Sequence, residues 1–204
     1  MKKVLLILVA SLFCTFGYSQ KKKPVAKKGP VAANIVVAKI DNVSAEVAKD
    51  NFYLFFTVKT RKDTIRIKNV DPKKLPANGK IIPFTAKGTP LYAVSWTETS
   101  VTETKLKKEE AVTTFTDVYD IHSKARILEN AQTTTSISEI VYLDAKQTVS
   151  ETQQKLRKEG FEFSLAPTGD IVLKNKAQEN KLTYDAAEKK FVNAAPVKAA
   201  AKKK

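Results

Sequence analysis

The chain has 204 residues, of which 36 are Lys or Arg and 21 are Asp or Glu, so its formal net charge is +15. The proportions of hydrophobic (43%) and charged (28%) residues are those of an ordinary globular domain. One cysteine and one histidine exclude an internal disulfide, and they fall short of the three or four nitrogen or sulfur ligands that zinc needs.

Residues 1–19 have the three parts of a secretory signal. A basic start precedes an apolar run at 4–13, and Gly17 and Ser19 are small residues at the positions that precede a cleavage site. The run is too short to cross a membrane, which takes about 20 residues. The sequence therefore predicts cleavage after Ser19 and export to the periplasm or the extracellular space.

The only cysteine, Cys14, lies inside this signal. Bacterial lipoprotein signals carry a small residue immediately before the modified cysteine, whereas this chain has Phe13 there. We therefore expect Cys14 to be removed with the signal and not to anchor a lipid. No later hydrophobic stretch approaches membrane-spanning length, so no transmembrane segment is predicted after cleavage.

The positive charge is concentrated in two tails, residues 20–33 and 194–204. The tails contain no acidic residue, whereas the region 34–193 is nearly balanced, with 25 basic and 21 acidic residues. The lysines of the tails are Lys21, Lys22, Lys23, Lys27, Lys28, Lys198, Lys202, Lys203 and Lys204. Lys, Ala and Pro offer too little apolar surface to offset the entropy of ordering, so both tails are predicted to be disordered.

These nine lysines are candidate contacts for polyanions such as lipopolysaccharide, anionic lipid or extracellular nucleic acid. Each lysine near an anionic surface contributes about 1 kcal/mol, so such contacts would be weak and sensitive to salt. The tails lack the aromatic residues on which bases stack, which argues against sequence-specific nucleic-acid binding. The alternative is that the tails are solubilising spacers.

The region 34–193 is predicted to be a single β-rich domain, because its apolar residues recur with the period of two that is typical of half-buried strands. Residues 51–59 and 64–68 form a predicted hairpin, and 70–80 is a predicted loop with two prolines and an Asn-Gly pair. The strand that begins at Leu91 has an inward face that becomes polar after Trp96.

We therefore expect this strand to leave the core and to form a long projecting hairpin. Its Thr-rich part spans 97–116, its tip is expected at 105–110, and the returning strand covers 111–121. Farther along the chain, residues 138–144 are predicted to form another apolar strand.

Residues 148–159 are predicted to form a helix. Two overlapping capping boxes start it, the basic residues lie late, and Gly160 supplies a stop. Its apolar stripe is essentially Val149 and Leu156, so we expect it to cover a sheet. Two more hairpins follow, one of them pairing 161–165 with 171–173.

Eight or more strands with short gaps favour antiparallel pairing. The predicted fold is therefore mainly β, an antiparallel sandwich or a strongly curved sheet, with one short covering helix near 148–159. The alternatives are an α+β fold and a small barrel with a cavity.

No catalytic, cofactor or metal site is predicted. The chain lacks the P-loop, the G-x-S-x-G elbow and the acidic calcium loop. Acidic, phenolic and imidazole groups crowd together only at Asp117, Tyr119, Asp120 and His122. In a strand these divide between two faces, so we interpret them as a solvated hairpin edge or a turn at 120–124, and not as a site.

Three functions remain open. The first is an exported, non-catalytic envelope or secreted protein whose β-domain is structural or binds a protein or glycan, with tails that tether it to polyanionic surfaces. The second is a carrier of a small apolar ligand, suggested by the aromatic residues at 52–56 and 161–163. The third is a hydrolase of envelope glycans or peptides that uses carboxylates alone.

Overall fold

A computed structural model describes residues 34–194, which fold into thirteen strands in three antiparallel sheets. The N-terminal sheet contains β1 (Ile35–Ile40), β2 (Val43–Ala48), β3 (Asn51–Val58) and β4 (Arg61–Asn69). The central sheet contains β5 (Ala77–Ala86), β6 (Thr89–Glu103), β7 (Lys107–Asp120), β8 (Ala125–Tyr142) and β9 (Ser150–Gly160). The C-terminal sheet contains β10 (Glu162–Leu165), β11 (Ile171–Lys174), β12 (Glu179–Asp185) and β13 (Lys190–Asn193).

This architecture confirms the predicted mainly-β, sandwich-like fold. Every neighbouring pair of strands is antiparallel and consecutive in sequence, as the short gaps predicted. None of the three sheets closes into a barrel, and residues 34–194 contain no helix. Within this range there is accordingly no helix long and apolar enough to cross a membrane. The α+β and barrel alternatives are therefore wrong.

A first core lies between the N-terminal sheet and one face of the central sheet. Alternate residues of β2 and β3, such as Val43, Phe52 and Leu54, point into it, as the period of two requires. The central sheet contributes Trp96 and Tyr119 among others. Phe52 meets Trp96 edge to face, with ring centroids 5.2 Å apart.

A second core lies on the other face of the central sheet, under the C-terminal sheet. Leu91 and Val118 occupy it, next in sequence to residues that face the first core. Ile171 and Tyr184 enter it from the C-terminal sheet. The central sheet is thus the middle of three layers, and its strands are buried on both faces along part of their length.

The rest of the central sheet extends beyond both cores, and we call residues 99–114 and 132–160 the distal half. The predicted projecting hairpin is confirmed, because β6 and β7 pair from Tyr92 to Glu103. The turn at its tip is only Thr104–Leu106, shorter than predicted. The hairpin does not project alone: β8 runs unbroken over 18 residues beside it, and β9 follows.

The predicted helix at 148–159 is wrong, because this segment forms β9 and pairs with β8 along its length. Of the residues in the predicted capping boxes, Thr148 lies in the connection between β8 and β9, whereas Ser150, Glu151 and Gln153 belong to β9. The Asp144 carboxylate accepts hydrogen bonds from the backbone N–H groups of Thr148 and Val149, at 2.8 and 2.9 Å. Val149 and Leu156 are mostly exposed. A helix over these residues would have only this thin apolar stripe to bury. As strand β9, the segment instead forms backbone hydrogen bonds with β8.

The loop predicted at 70–80 is shorter than expected, because Asn78 and Gly79 belong to β5. They form an irregularity between Ala77 and Lys80 where the register with β6 shifts. A side chain at Gly79 would lie 2.6 Å from the backbone oxygen of Val37, so glycine permits close approach of β1 to β5 here. The predicted signal (1–19), the predicted tail 20–33 and all of the predicted tail 194–204 except Ala194 lie outside the described residues.

Candidate functional site

The sequence-predicted polyanion contacts are the nine lysines of the tails, and all nine lie outside residues 34–194. Their role stays a prediction.

The group at 117–122 divides between two faces, as strand alternation predicted: Asp117 and Tyr119 face the first core, and Asp120 lies on the other side. The solvated hairpin edge is wrong, because all three residues are buried. The alternative, a turn at 120–124, is confirmed, because residues 121–124 form the turn between β7 and β8. Strand β7 is internal, with β6 on one side and β8 on the other.

Asp120 stabilises the turn between β7 and β8. Its carboxylate accepts hydrogen bonds from the backbone N–H of His122 (2.9 Å) and from the Ser123 hydroxyl (2.6 Å). Burial acts to raise the pKa of Asp120, but these bonds outweigh it and lower the pKa. The His122 imidazole is more than half exposed. This pair therefore forms a turn and holds no substrate.

Asp117 lies in a buried polar network between the two sheets. Its Oδ2 accepts hydrogen bonds from the Tyr119 hydroxyl at 2.8 Å and from the Arg126 guanidinium at 3.4 Å. Burial raises the pKa values of both Asp117 and Tyr119. Glu98, next to them on the same face, accepts hydrogen bonds from Lys68 and from the Trp96 indole at 2.8 and 2.9 Å.

This network does not have the dimensions of a hydrolase site. The cavity that Asp117 lines encloses about 150 Å³, whereas ligand pockets usually measure about 300–1,000 Å³. The cavity is therefore smaller than a typical substrate pocket. Among residues 34–194, no three His, Cys, Asp or Glu side chains come together as metal ligands would.

A larger groove, which we call the outer groove, lies on the face of the N-terminal sheet that points away from the first core. It encloses about 620 Å³, within the usual range for ligand pockets. Its floor comes from alternate positions whose neighbours are core residues: Ser44, Glu46, Phe55 and Thr64. Lys39, Asn34 and the turn between β1 and β2 form its border.

The outer groove combines an aromatic surface with a fixed carboxylate. The Phe55 ring is half-buried and lies beside Tyr53, with centroids 5.7 Å apart. Glu46 is held from both sides, because Oε1 accepts from the Ser44 hydroxyl (2.6 Å) and Oε2 from the Asn34 amide (3.0 Å). Each carboxylate oxygen retains further acceptor capacity, so Glu46 can also bind hydroxyl or amide donors of a ligand.

Sequence reasoning missed the outer groove, although one signal was present. Strand β3 is apolar on both faces, with Tyr53 and Phe55 opposite Phe52 and Leu54. A strand of this kind needs a cover on each side, and among residues 34–194 only the face with Phe52 and Leu54 is packed against another sheet. The residues of β1 and β2 that lie beside Phe55 could not be identified from the sequence, because the register in which the strands pair was not known.

A second groove of about 700 Å³ lies between the distal half and the C-terminal sheet. It is lined by Lys158, Lys174 and Lys176, with Glu159 and Glu162 among them. Leu156 also lines it, but no aromatic residue does. Its charges are mixed, and Lys174 already pairs with Glu179 at 3.1 Å, so it presents a less defined surface than the outer groove.

Comparison of the chain with protein-family profiles, with curated proteins and with solved structures found no match.

Proposed function

We propose that this chain is an exported, non-catalytic protein of the cell envelope or its surroundings, and that it binds a glycan in the outer groove. Its cationic tails add contacts with polyanionic surfaces. Export is inferred from the signal at 1–19 and the predicted cleavage after Ser19.

The outer groove carries the glycan proposal, because its chemistry matches a sugar ring. Pyranose rings present C–H groups on their faces and hydroxyl groups at their edges. The partly exposed Phe55 ring offers a flat apolar surface for the C–H face. Glu46, fixed by Ser44 and Asn34, offers acceptors for the hydroxyl groups. A protein partner would need a standard interface of about 800 Å² per side, and the outer groove is a local concave site.

Neither alternative function is favoured by a specific observation. For the carrier, Phe52 and Phe56 fill the first core, and Phe163 packs against the second core. Phe55 and Phe56 also line the outer groove, but polar and charged residues such as Ser44, Glu46 and Thr64 line it with them, so it is not a purely apolar cavity. For the hydrolase, the Asp117 network is buried beside a cavity that is smaller than a typical substrate pocket.

The glycan proposal is tested by binding the full chain to an array of neutral and anionic oligosaccharides at low and high salt. We expect a neutral oligosaccharide to bind with an affinity that salt leaves unchanged. Phe55→Ala should weaken it about 30-fold, because stacking and burial of one aromatic face contribute about 2 kcal/mol. Glu46→Gln should weaken it about 10-fold, through the loss of charge-assisted hydrogen bonds.

The matched control is Tyr142→Ala, which removes an exposed aromatic ring at the far end of β8. It should bind as the unchanged chain does. Thermal unfolding confirms that each variant is folded. The proposal fails if no neutral oligosaccharide binds, or if Phe55→Ala and Tyr142→Ala bind equally well.

A second arm tests the tails on vesicles that contain anionic lipid. Replacing the nine tail lysines with Gln should abolish binding to these vesicles at low salt and leave the affinity for the neutral oligosaccharide unchanged. Retention of vesicle binding by this variant would contradict the role given to the tails.

A further inference from the structure

We propose that strand β9 pairs in antiparallel fashion with β9 of a second copy of this chain, so that two central sheets join into one. β9 is the last strand of the central sheet, and among residues 34–194 no strand pairs with its outer edge. β9 contributes no residue to the outer groove, so this proposal does not depend on glycan binding.

Half of the backbone groups of β9 point away from β8. The N–H of Leu143 donates to the carbonyl oxygen of Val149 at 2.9 Å, so these opposed residues are a hydrogen-bonded pair. Such pairs alternate with non-hydrogen-bonded pairs along an antiparallel ladder, and the register of β8 with β9 has no shift. The residues whose N–H and C=O groups point outward are therefore Ser150, Thr152, Gln154, Leu156 and Lys158. They present a row of donors and acceptors to another strand.

The opposite edge strand of the central sheet, β5, has features that prevent such pairing. It contains Pro83, which lacks an N–H. Its register with β6 shifts between Ala77 and Lys80, and β1 approaches it closely at Gly79. β9 contains no proline and no register shift, and no strand among the described residues covers its outer edge. Of the two edges, β9 is the one open to another strand.

The charges of β9 make a second copy of β9 a suitable partner. Only residues with outward backbone groups can exchange hydrogen bonds, so the two-fold axis must pass through a residue and not between two. With the axis at Gln154, Glu151 lies opposite the partner's Arg157, and the partner's Lys155 is its diagonal neighbour. Opposite charges in such positions stabilise a pair of strands.

Moving the axis by one residue removes this match. With the axis at Lys155, that lysine would lie opposite its own copy and Glu151 opposite the partner's Glu159, so like charges would repel. With the axis at Gln153, the end of β9 would lie opposite the turn that joins β8 to β9. The axis at Gln154 pairs β9 along nearly its whole length without opposing like charges.

The side chains that would pair between copies are exposed in one copy. Glu151 is exposed and accepts a hydrogen bond from the neutral Gln153 amide at 2.6 Å. The side chain of Arg157 is 51% exposed and reaches Glu159 at 3.4 Å. In the proposed register, the outward residues of both copies would form about ten backbone hydrogen bonds, which is the number in a typical protein interface.

The experiment measures the mass of the full chain by sedimentation equilibrium over a series of concentrations at physiological ionic strength. We expect a reversible equilibrium between monomer and dimer. Amide hydrogen exchange at Thr152, Gln154 and Leu156 should slow at the highest concentration, whereas exchange at Val118 in the second core should not change. A chain that stays monomeric throughout would overturn the proposal.

Gln154→Pro tests the backbone pairing. Proline removes the outward N–H at the axis and leaves the hydrogen bonds between β9 and β8 in place. It should weaken dimerisation at least about ten-fold. The matched control is Gln154→Ala, which also loses the side-chain hydrogen bond to Ser138 but keeps the backbone N–H. The control should dimerise within about three-fold of the unchanged chain, and equal dimerisation by the two variants would contradict pairing through this edge.

Glu151→Lys and Arg157→Glu test the register. Each single change sets like charges opposite each other at two symmetric positions, so each should weaken dimerisation at least about ten-fold. The double variant restores opposite charges and should dimerise within about three-fold of the unchanged chain. A double variant as weak as the single variants, or an Arg157→Glu variant that dimerises normally, would overturn the proposed register.

Discussion

The two halves of the central sheet share strands β6, β7 and β8 and differ in what covers them. In the proximal half, residues 77–98 and 115–131, both faces are packed against another sheet. In the distal half, only Thr135 and Ile137 are buried. Their cross-strand neighbours on β9 are Arg157 and Lys155, whose long aliphatic stems can cover apolar surface while their charges stay in water.

The distal half shows that these strands can pair over a long distance without a core on each side. Cross-strand contacts stabilise it instead: the hydroxyls of Thr113 and Thr133 are 2.9 Å apart, and Lys155 pairs with Glu139 at 3.0 Å. Each such pair contributes about 0.2–1 kcal/mol. The stability of the protein should therefore reside mainly in the proximal half, and the distal half should open more easily.

The sharpest test of this comparison removes the same side chain from each half. Leu91 is 0% exposed in the second core, whereas Leu156 on β9 is 62% exposed. Leu91→Ala should lower the free energy of unfolding by about 2–5 kcal/mol, because it leaves a cavity in a packed core. Leu156→Ala should change it by no more than about 0.5 kcal/mol. Urea unfolding measures both, and equal losses would show that the distal half contributes as much as the proximal half.

The next largest effect is expected at Gly160, where the chain leaves the distal half for the C-terminal sheet. Its φ is +81°, and a Cβ there would lie 2.1 Å from the backbone oxygen of Ala131. Gly160→Ala should cost about 1 kcal/mol for the positive φ, plus about 1–3 kcal/mol for the overlap.

Gly88 is the matched control for Gly160. Its φ is +82°, and a Cβ there would meet nothing within 4 Å. Gly88→Ala should therefore show only the conformational cost of about 1 kcal/mol. Thermal unfolding of the two variants separates the terms. Equal losses would mean that the close approach to Ala131 is not rigid.

The smallest effect concerns Asp144, in the turn that joins β8 to β9 at the end of the distal half. Hydrogen bonds from the Thr148 hydroxyl and from the N–H of Val149 lower its pKa. Since the folded pKa lies below the unfolded one, its stabilisation is present above the unfolded pKa and is lost as pH falls through the folded pKa. Asp144→Ala should remove this pH dependence and speed amide hydrogen exchange near Tyr142 and Val149.

Amide exchange in the proximal half provides the internal reference for Asp144→Ala. Protection of Val118 should not change, because the turn contacts neither core. If the variant speeds exchange at Val118 as well, the two halves unfold as one unit, and the comparison between them does not describe the stability of the protein.

Much of the fold could be predicted from periodicity. The hairpin at 51–69 and the projecting hairpin after Leu91 follow from apolar residues that alternate along strands, because alternation depends only on the local chain. Residues 148–159 could not be assigned in this way. Caps, charges and a following Gly160 are local signals, and they favoured a helix whose apolar face had nothing to bury. The presence of β8 as a pairing partner decided the outcome.

The candidate sites show the same difference between what the local sequence predicts and what the tertiary structure decides. The amino-acid sequence by itself determined the charge distribution, the shortage of the nitrogen and sulfur ligands that zinc needs, and the separation of Asp117 from Asp120 on two faces of a strand. Only the tertiary structure decided that Asp117 is buried and that Phe55 lies beside Glu46. Burial and proximity depend on strand register and on the stacking of sheets, which bring together residues far apart in sequence. Local patterns determine which way a side chain points, but packing between sheets determines what it meets.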